Sequence, residues 1–314
     1  MPGIKAIASC IPETSIDNIA QAQKFGESEV FITDKIGAIR LPRKRTTEDT
    51  SDLATQALNR LIDSTDLTRE AIDVLVVVTQ NGDGEGLPQT SAIVQKKAGL
   101  NTAIAAFDIS LGCSGFVYGL HILKGFLTST GLHNGVLITA DPYSKIIDPD
   151  DKNTSLLFGD AATATWIGPD PVWHLGPTLF GTDGEGETAL KTSNHRLSMN
   201  GRQVFDFAAR QVAPHIRALL EKAMVTEEAI DLFCLHQGSY AIVDAIARRF
   251  RGSTDKFIRD IRHTGNTVSS SIPLLLEKHV MHTSHQNIII SGFGVGFSWA
   301  TALLTRQPDM TDSE

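Results

Sequence analysis

The chain has 314 residues, 41% hydrophobic and 20% charged, a composition that fills a globular core and excludes a disordered or fibrous chain. A formal net charge of −8 excludes a general nucleic-acid binder, which carries a basic excess. Three cysteines, Cys10, Cys113 and Cys234, are too few for a disulfide framework, so a reducing, cytoplasmic setting is expected. The opening MPGIKAIASCIPETSID does not read as a secretory signal, and no apolar stretch reaches the roughly 20 residues that span a bilayer.

In chain order, the pattern predicts a helix over 50–64 with Thr50 and Ser51 as caps, a strand over 73–79, a helix over 91–100 and a strand over 102–109. A helix over 114–129, a strand over 135–140 and a long helix over 203–224 follow. The last predicted elements are a strand over 231–236, a helix over 241–250 and a strand over 287–291. The strands are near-continuous in apolar residues, as expected when helices cover both faces of a sheet. Strands alternating with helices imply βαβ units and an α/β fold.

One repeat stands out. TREAIDVLVVVTQ begins at Thr68 and TEEAIDLFCLHQ at Thr226, an offset of 158, about half the chain. A second pair, GVLITAD and NIIISGF, lies at nearly the same offset. Any two βαβ units look somewhat alike, but two matches in the same order favour a duplicated fold with halves at 1–167 and 168–314.

Four places could carry chemistry. Cys113 lies between the strand ending at Ile109 and an apolar helix, flanked by Gly112, Ser114 and Gly115. It is either a packed core thiol or a nucleophile at a helix N-terminus, where the macrodipole lowers a thiol pKa. His236 ends a strand, at the sheet edge where α/β proteins bind ligands, and is either a site group or a satisfied core histidine. Asn266 sits in HTGNT ahead of a serine-rich helix start, as turn chemistry or as a ligand. Gly292, Gly294 and Gly296 in SGFGVGFSW permit close approach of backbone amides, or only shape a turn.

Read together, DISLGCSGFVYGL, LHQGS, HTGNT with SSSIP, and GFGVGFSWATALL resemble the β-ketoacyl-acyl-carrier-protein synthase III family of thiolase-fold condensing enzymes. FITDKIGAIRLPRK (31–44) resembles the family's segment near its substrate entrance, and DPDDKNTSLLFGDAATA (148–164) its DP…FGDGAGA stretch. The resemblance covers almost the whole chain. It implies a thiolase-like duplicated fold, two βαβ-rich halves packed as α/β/α/β/α layers, the first carrying the nucleophile and the second the histidine and asparagine.

By resemblance, Cys113 accepts an acyl group from a thioester, acyl-coenzyme A or acyl-carrier protein. His236 and Asn266 hold malonyl-carrier protein and stabilise the enolate formed as carbon dioxide leaves. The backbone amides of Cys113 and Val295 form a second oxyanion hole, near Gly294 and Gly296 in the substrate site. No permanently bound cofactor and no metal is implied, and relatives pair as homodimers. The family commonly has glycine where Val295 stands. Phe31 matches its tryptophan that stacks on the coenzyme A adenine, and Lys152 the partner arginine, without a planar guanidinium. Leu87 matches a position that limits acyl length across a dimer interface. A basic residue used for carrier docking is Ala241 here, which leaves Arg248 and Arg249 as docking candidates.

His279, His282 and His285 recur every three residues but lack a cysteine or carboxylate partner, so a zinc site is not expected. NGDGEG (81–86) and TDGEGE (182–187) lack a P-loop's Lys-Ser/Thr and read as loops near a mouth. A second function keeps acyl-Cys113 but transfers the acyl group to a hydroxyl or amine of a specialised metabolite or sugar. A papain-like protease shares the order Cys–His–Asn, but its local motif is missing and the repeat would be unexplained. A non-catalytic subunit would not need the intact trio.

Overall fold

The computed structural model describes residues 1–84 and 86–306. Its strands in chain order are β1 (Gly3–Cys10), β2 (Ser15–Asp17), β3 (Arg40–Pro42), β4 (Val74–Val78), β5 (Ala105–Ile109), β6 (Gly135–Ala140) and β7 (Ala162–Gly168). They continue as β8 (Trp173–Thr182), β9 (Leu190–Ser193), β10 (Arg196–Met199), β11 (Leu232–Leu235), β12 (Asn287–Gly294) and β13 (Ser298–Arg306). Nine of them form one sheet in the order β11-β12-β13-β8-β1-β7-β6-β4-β5. The remaining four form two small two-stranded sheets, β2 with β3 and β9 with β10.

The pairing repeats. Strand β4 runs parallel to β6, β6 antiparallel to β7, and β7 antiparallel to β1. In the same way β11 runs parallel to β12, β12 antiparallel to β13, and β13 antiparallel to β8. The outer parallel strand β5 has only a trace of a counterpart, the bridge between Phe233 and Phe257. The two sets meet at β1 and β8, where Ile4 faces Trp173.

Three apolar clusters make the layers. Helix Gly115–Thr130 and helix Ser271–His279 lie between the two sets of strands, with Phe116, Leu120, Ile272 and Leu275 packed on Val76, Leu137, Ile288 and Ala302. Helices Thr50–Asp63 and Thr90–Lys97 cover the outer face of the first set through Leu53, Leu58 and Val94. Helices Gly201–Ala223 and Tyr240–Ala247 cover the second through Val212, Ile216 and Ile246. The order helix, sheet, helix, sheet, helix is the layering expected of a thiolase-like fold. The first turns of helix Gly115–Thr130, residues 115–120, are buried on nearly every side, which explains their apolar run.

The TREAID/TEEAID repeat has a physical cause. Asp73 Oδ2 accepts hydrogen bonds from the His133 and Asn134 amides, at 3.0 and 2.9 Å. Asp231 Oδ2 accepts from the Gln286 and Asn287 amides, at 2.7 and 2.9 Å. Each aspartate thus fixes the chain entering the neighbouring parallel strand. The predicted caps of the first long helix are corrected. Asp49 is the N-cap, in a capping box with Asp52, while Thr50 and Ser51 lie in the first turn.

Candidate active site

Strand β5 and helix Gly115–Thr130 position Cys113. The helix lies so close to β4 that a side chain on Gly115 would approach Val78 Cγ1 to 2.4 Å. Cys113 is 4% exposed, and Ser114 Oγ is hydrogen-bonded to Ser298 Oγ at 2.7 Å, which ties its loop to β13. A Cβ on Gly294 would stand 2.8 Å from Cys113 Sγ, so the glycine leaves the space that the sulfur occupies.

The thiol is not acidic. Burial, with a contribution from the Asp141 charge, pushes it up to about 12, although the Cys113 and Val295 amides act in the other direction. Burial thus acts against the lowering that a helix N-terminus would give. The residue stands ahead of the first helical residue, Gly115, and a helix end contributes ~0.3–1 kcal/mol. Desolvation by burial is the largest influence on the thiol and outweighs it.

Strand β11 ends at Leu235 and places His236 next. Burial lowers its pKa to about 3, partly offset by the backbone of Val268, so the ring is neutral at pH 7. Its Nδ1 is 2.7 Å from Ser271 Oγ. That hydroxyl accepts from the Gln237 amide at 3.4 Å, which leaves its own proton for Nδ1. The tautomer assigned on this basis carries its proton on Nε2.

Asn266 is held in the backbone as well as by its side chain. Its amide donates to Leu157 O and its carbonyl accepts from Gly159 N, both at 3.0 Å. Its Oδ1 accepts from Val268 N at 2.9 Å, so the carboxamide turns its Nδ2 donors the other way. Val268 has φ +55, a left-handed conformation costly for a β-branched residue, at a turn that contacts both His236 and Asn266.

Cys113, His236 and Asn266 line one cavity of about 190 Å³, with Gly294 beside them. Leu157, Phe158, Met199 and Phe293 give it apolar walls, and Phe31, Ile36, Lys152 and Gly201 line it as well. A neutral imidazole, a carboxamide and two backbone amides around a buried thiol can donate hydrogen bonds to developing oxyanions in a dry site. Among the described residues, no group of three or more His, Cys, Asp or Glu side chains is arranged to hold a metal. His279 is instead bonded to Asp260 at 2.7 Å.

Other predicted residues fall differently. Val295 and Gly296 are outside the cavity lining; Val295 contributes its amide at the sulfur, and Gly296, at φ +131, shapes the turn before β13. Lys152 lies in the lining but is paired with Glu27 at 2.8 Å. Leu87 is 90% exposed and does not line this chain's own cavity. Arg248 and Arg249 are exposed beyond the last turn of helix Tyr240–Ala247, whose first turn faces the cavity through Ser239 and Ile242. Over such a helix the separation is about 12 Å, so they stand away from the opening. Exposed Lys35 and Arg202 adjoin the lining residues Ile36 and Gly201 instead. Among the described residues, neither glycine-rich loop lines the cavity. Asn81, Gly82, Gly84 and Gly86 border a separate cleft, and Gly184–Gly186 forms a short turn anchored between Asp183 and Phe297.

Sequence reasoning did not single out Val268 or Ser271, which orient the pair. The signal was present in SSSIP, three consecutive hydroxyls ahead of an apolar helix, all buried here.

Two family profiles match the chain: the 3-oxoacyl-[acyl-carrier-protein] synthase III profile at residues 107–184 and its C-terminal counterpart at residues 220–306. The chain is 32% identical to beta-ketoacyl-[acyl-carrier-protein] synthase III of Lactococcus lactis, over 96% of this chain and 98% of that protein. It is 33% identical to the corresponding Streptococcus mutans synthase, with the same coverage. Among solved structures, the Thermus thermophilus beta-ketoacyl-[acyl-carrier-protein] synthase III superposes with a TM-score of 0.90 at 30% identity, covering 97% of this chain and 99% of that one. The Aquifex aeolicus 3-oxoacyl-[acyl-carrier-protein] synthase III also gives 0.90, at 28% identity, covering 97% and 100%.

Proposed function

Because the chain belongs to the 3-oxoacyl-[acyl-carrier-protein] synthase III family, we propose that it condenses an acyl thioester with malonyl-carrier protein, releasing carbon dioxide. The observation that carries this reading is the convergence of Cys113, His236 and Asn266 on one buried cavity.

In the first half-reaction Cys113 Sγ attacks the thioester carbonyl. The carbon–sulfur bond to the donor breaks, and the thiol proton leaves on the departing thiol. With the thiol pushed up to about 12, deprotonation accompanies attack, and the proton passes to the departing thiolate.

In the second half-reaction the malonyl carbon–carboxylate bond breaks, and its electron pair becomes an enolate. His236 Nε2 and Asn266 Nδ2 donate to the enolate oxygen. The enolate carbon attacks the acyl-Cys113 carbonyl, whose oxyanion receives the Cys113 and Val295 amides. Collapse releases the 3-oxoacyl thioester, and the Cys113 thiolate takes up one proton. Each preorganised donor contributes about 2.7–4 kcal/mol to such a transition state.

Phe31 and Lys152 receive the thioester arm, although Lys152 must leave Glu27 to meet a phosphate. This favours a carrier-protein or a loosely held coenzyme A donor, and Lys35 and Arg202 beside the opening join Arg248 and Arg249 as candidates for an acidic carrier protein. Two copies pair through β5, an edge strand of half-buried Ala105–Ile109, which brings the exposed Leu87 of one copy toward the other's acyl site. The repeating units run over 1–167 and 168–314, in a cytoplasmic enzyme.

Acyl transfer to a hydroxyl or amine without condensation has no support in the names of the relatives. Carbon dioxide release from malonyl-carrier protein, dependent on acyl donor and lost in Cys113→Ala, tests the reading. An acyl-charged enzyme that releases none would reject it.

A further inference from the structure

One buried charge has no part in the half-reactions. Asp141 follows β6 directly, is 0% exposed, and lies close enough to Cys113 to raise its pKa. A carboxylate taken out of water must be satisfied by donors. Its Oδ1 accepts from the Gln80 amide at 2.7 Å and from Thr79 Oγ1 at 3.5 Å, and its Oδ2 accepts from Ser269 Oγ. The Ser269 amide also donates to it. The donors thus come from two places: the end of β4, and the turn over Val268–Ser270 that follows Asn266.

That turn does not lie in a relaxed shape, since Val268 is left-handed at φ +55. Such a conformation persists only where the surroundings over-determine it. Ser269 anchors the turn to Asp141, and Ser270 Oγ anchors it to Thr139 Oγ1 at 2.8 Å and Thr139 O at 3.2 Å. Held so, it presents Val268 N to Asn266 Oδ1 and Ser271 Oγ to His236 Nδ1.

We infer that Asp141 is a positioning residue for condensation: its buried carboxylate grips Ser269 and so fixes the turn that aims Asn266 and His236 at the malonyl thioester. The inference rests on the reading of the site as a condensing centre. The carboxylate has a second consequence. The titratable groups that face it are the Cys113 thiol and the Tyr143 hydroxyl, both pushed up by its charge in addition to burial. Burial raises Asp141 itself to about 6, so it is ionised at neutral pH. Removing the charge must therefore make Cys113 more acidic while it disorders the pair that handles the enolate. The two half-reactions then move apart, which loss of general stability would not produce.

The test uses the full chain with Asp141→Asn and, as a milder lesion that keeps the charge, Ser269→Ala. Acylation of Cys113 is followed by intact mass and condensation by carbon dioxide release from malonyl-carrier protein; iodoacetamide labelling of Cys113 is followed against pH. In Asp141→Asn, condensation kcat falls about 100-fold, the scale of a misplaced catalytic group, while acylation is retained and the labelling profile moves to lower pH. In Ser269→Ala, condensation falls about 10-fold, as for one lost hydrogen bond, with no such move of the profile, and Ser269→Thr restores it. Equal loss of both half-reactions in Ser269→Ala, or condensation within twofold of the parent in a folded Asp141→Asn, would overturn the inference. If the parent enzyme charges Cys113 but releases no carbon dioxide, the functional reading fails first and takes the inference with it.

Discussion

The ends of β4 and β11 occupy equivalent places in the two repeats, and they do different work. Both strands follow the same motif, both start beside an aspartate that grips the neighbouring strand, and both run parallel to that neighbour. Beyond β4 come Thr79 and Gln80, which satisfy the buried Asp141. Beyond β11 comes His236, aimed into the cavity with Ser271 behind it. The comparison teaches that duplication supplies the frame twice and the chemistry once. One strand end is spent on buttressing, and the other is free to carry a reacting group.

The largest expected effect breaks the comparison at its shared target. Cys113→Ala and Cys113→Ser remove the proposed nucleophile, and acyl loading and condensation should fall by 10³-fold or more, the scale of losing a covalent nucleophile. Loading measured by intact mass checks this. Next come His236→Ala and Asn266→Ala, which act on the second repeat's contribution alone. Each should lower carbon dioxide release by about 10²–10³-fold, the effect of one missing oxyanion donor. Asn266→Ala should leave acylation nearly intact, a split that separate assays of the two half-reactions will read.

Gly294→Ala probes the close approach of β12 to the sulfur. A methyl 2.8 Å from Cys113 Sγ must displace it, so turnover should fall about 10–100-fold, with a stability loss of about 1–3 kcal/mol read from denaturant unfolding. The smallest effect sharpens the comparison. Asp73→Ala and Asp231→Ala should each cost about 1 kcal/mol, equally in the two repeats, without changing the ratio of the half-reactions. A sizeable difference between them would show that the frames are not equivalent.

A pH series adds a sign. A thiol at about 12 holds less thiolate at neutral pH than a free cysteine, so iodoacetamide labelling of Cys113 should rise about tenfold per pH unit through pH 9 without a plateau. A plateau below pH 8 would mean that helix and amides outweigh burial.

The layered frame was legible because burial on both faces writes itself as uninterrupted apolar runs. The strands over 135–140 and 74–78 are of that kind. Strands β1, β7, β8 and β13 were not legible. Ala162–Gly168 is fully buried yet begins with four small or hydroxyl residues, and Trp173–Thr182 is interrupted by Gly176, Pro177 and Gly181. Their place is set by pairing with distant strands, which leaves little local trace. The trio was legible because each member sits at a strand end or in a turn with glycine beside it. The acidity of Cys113 was not, since it depends on burial and on Asp141, residues apart in sequence that only the fold brings to the sulfur. Leu87 shows the same limit: nothing within one copy covers it.

The most direct test is the mass of the enzyme after exposure to a panel of acyl-coenzyme A and acyl-carrier thioesters, before and after malonyl-carrier protein is added. One acyl adduct confined to Cys113, discharged in step with one equivalent of carbon dioxide, is the expected result. An adduct elsewhere, or one on Cys113 that malonyl-carrier protein leaves in place, would contradict it.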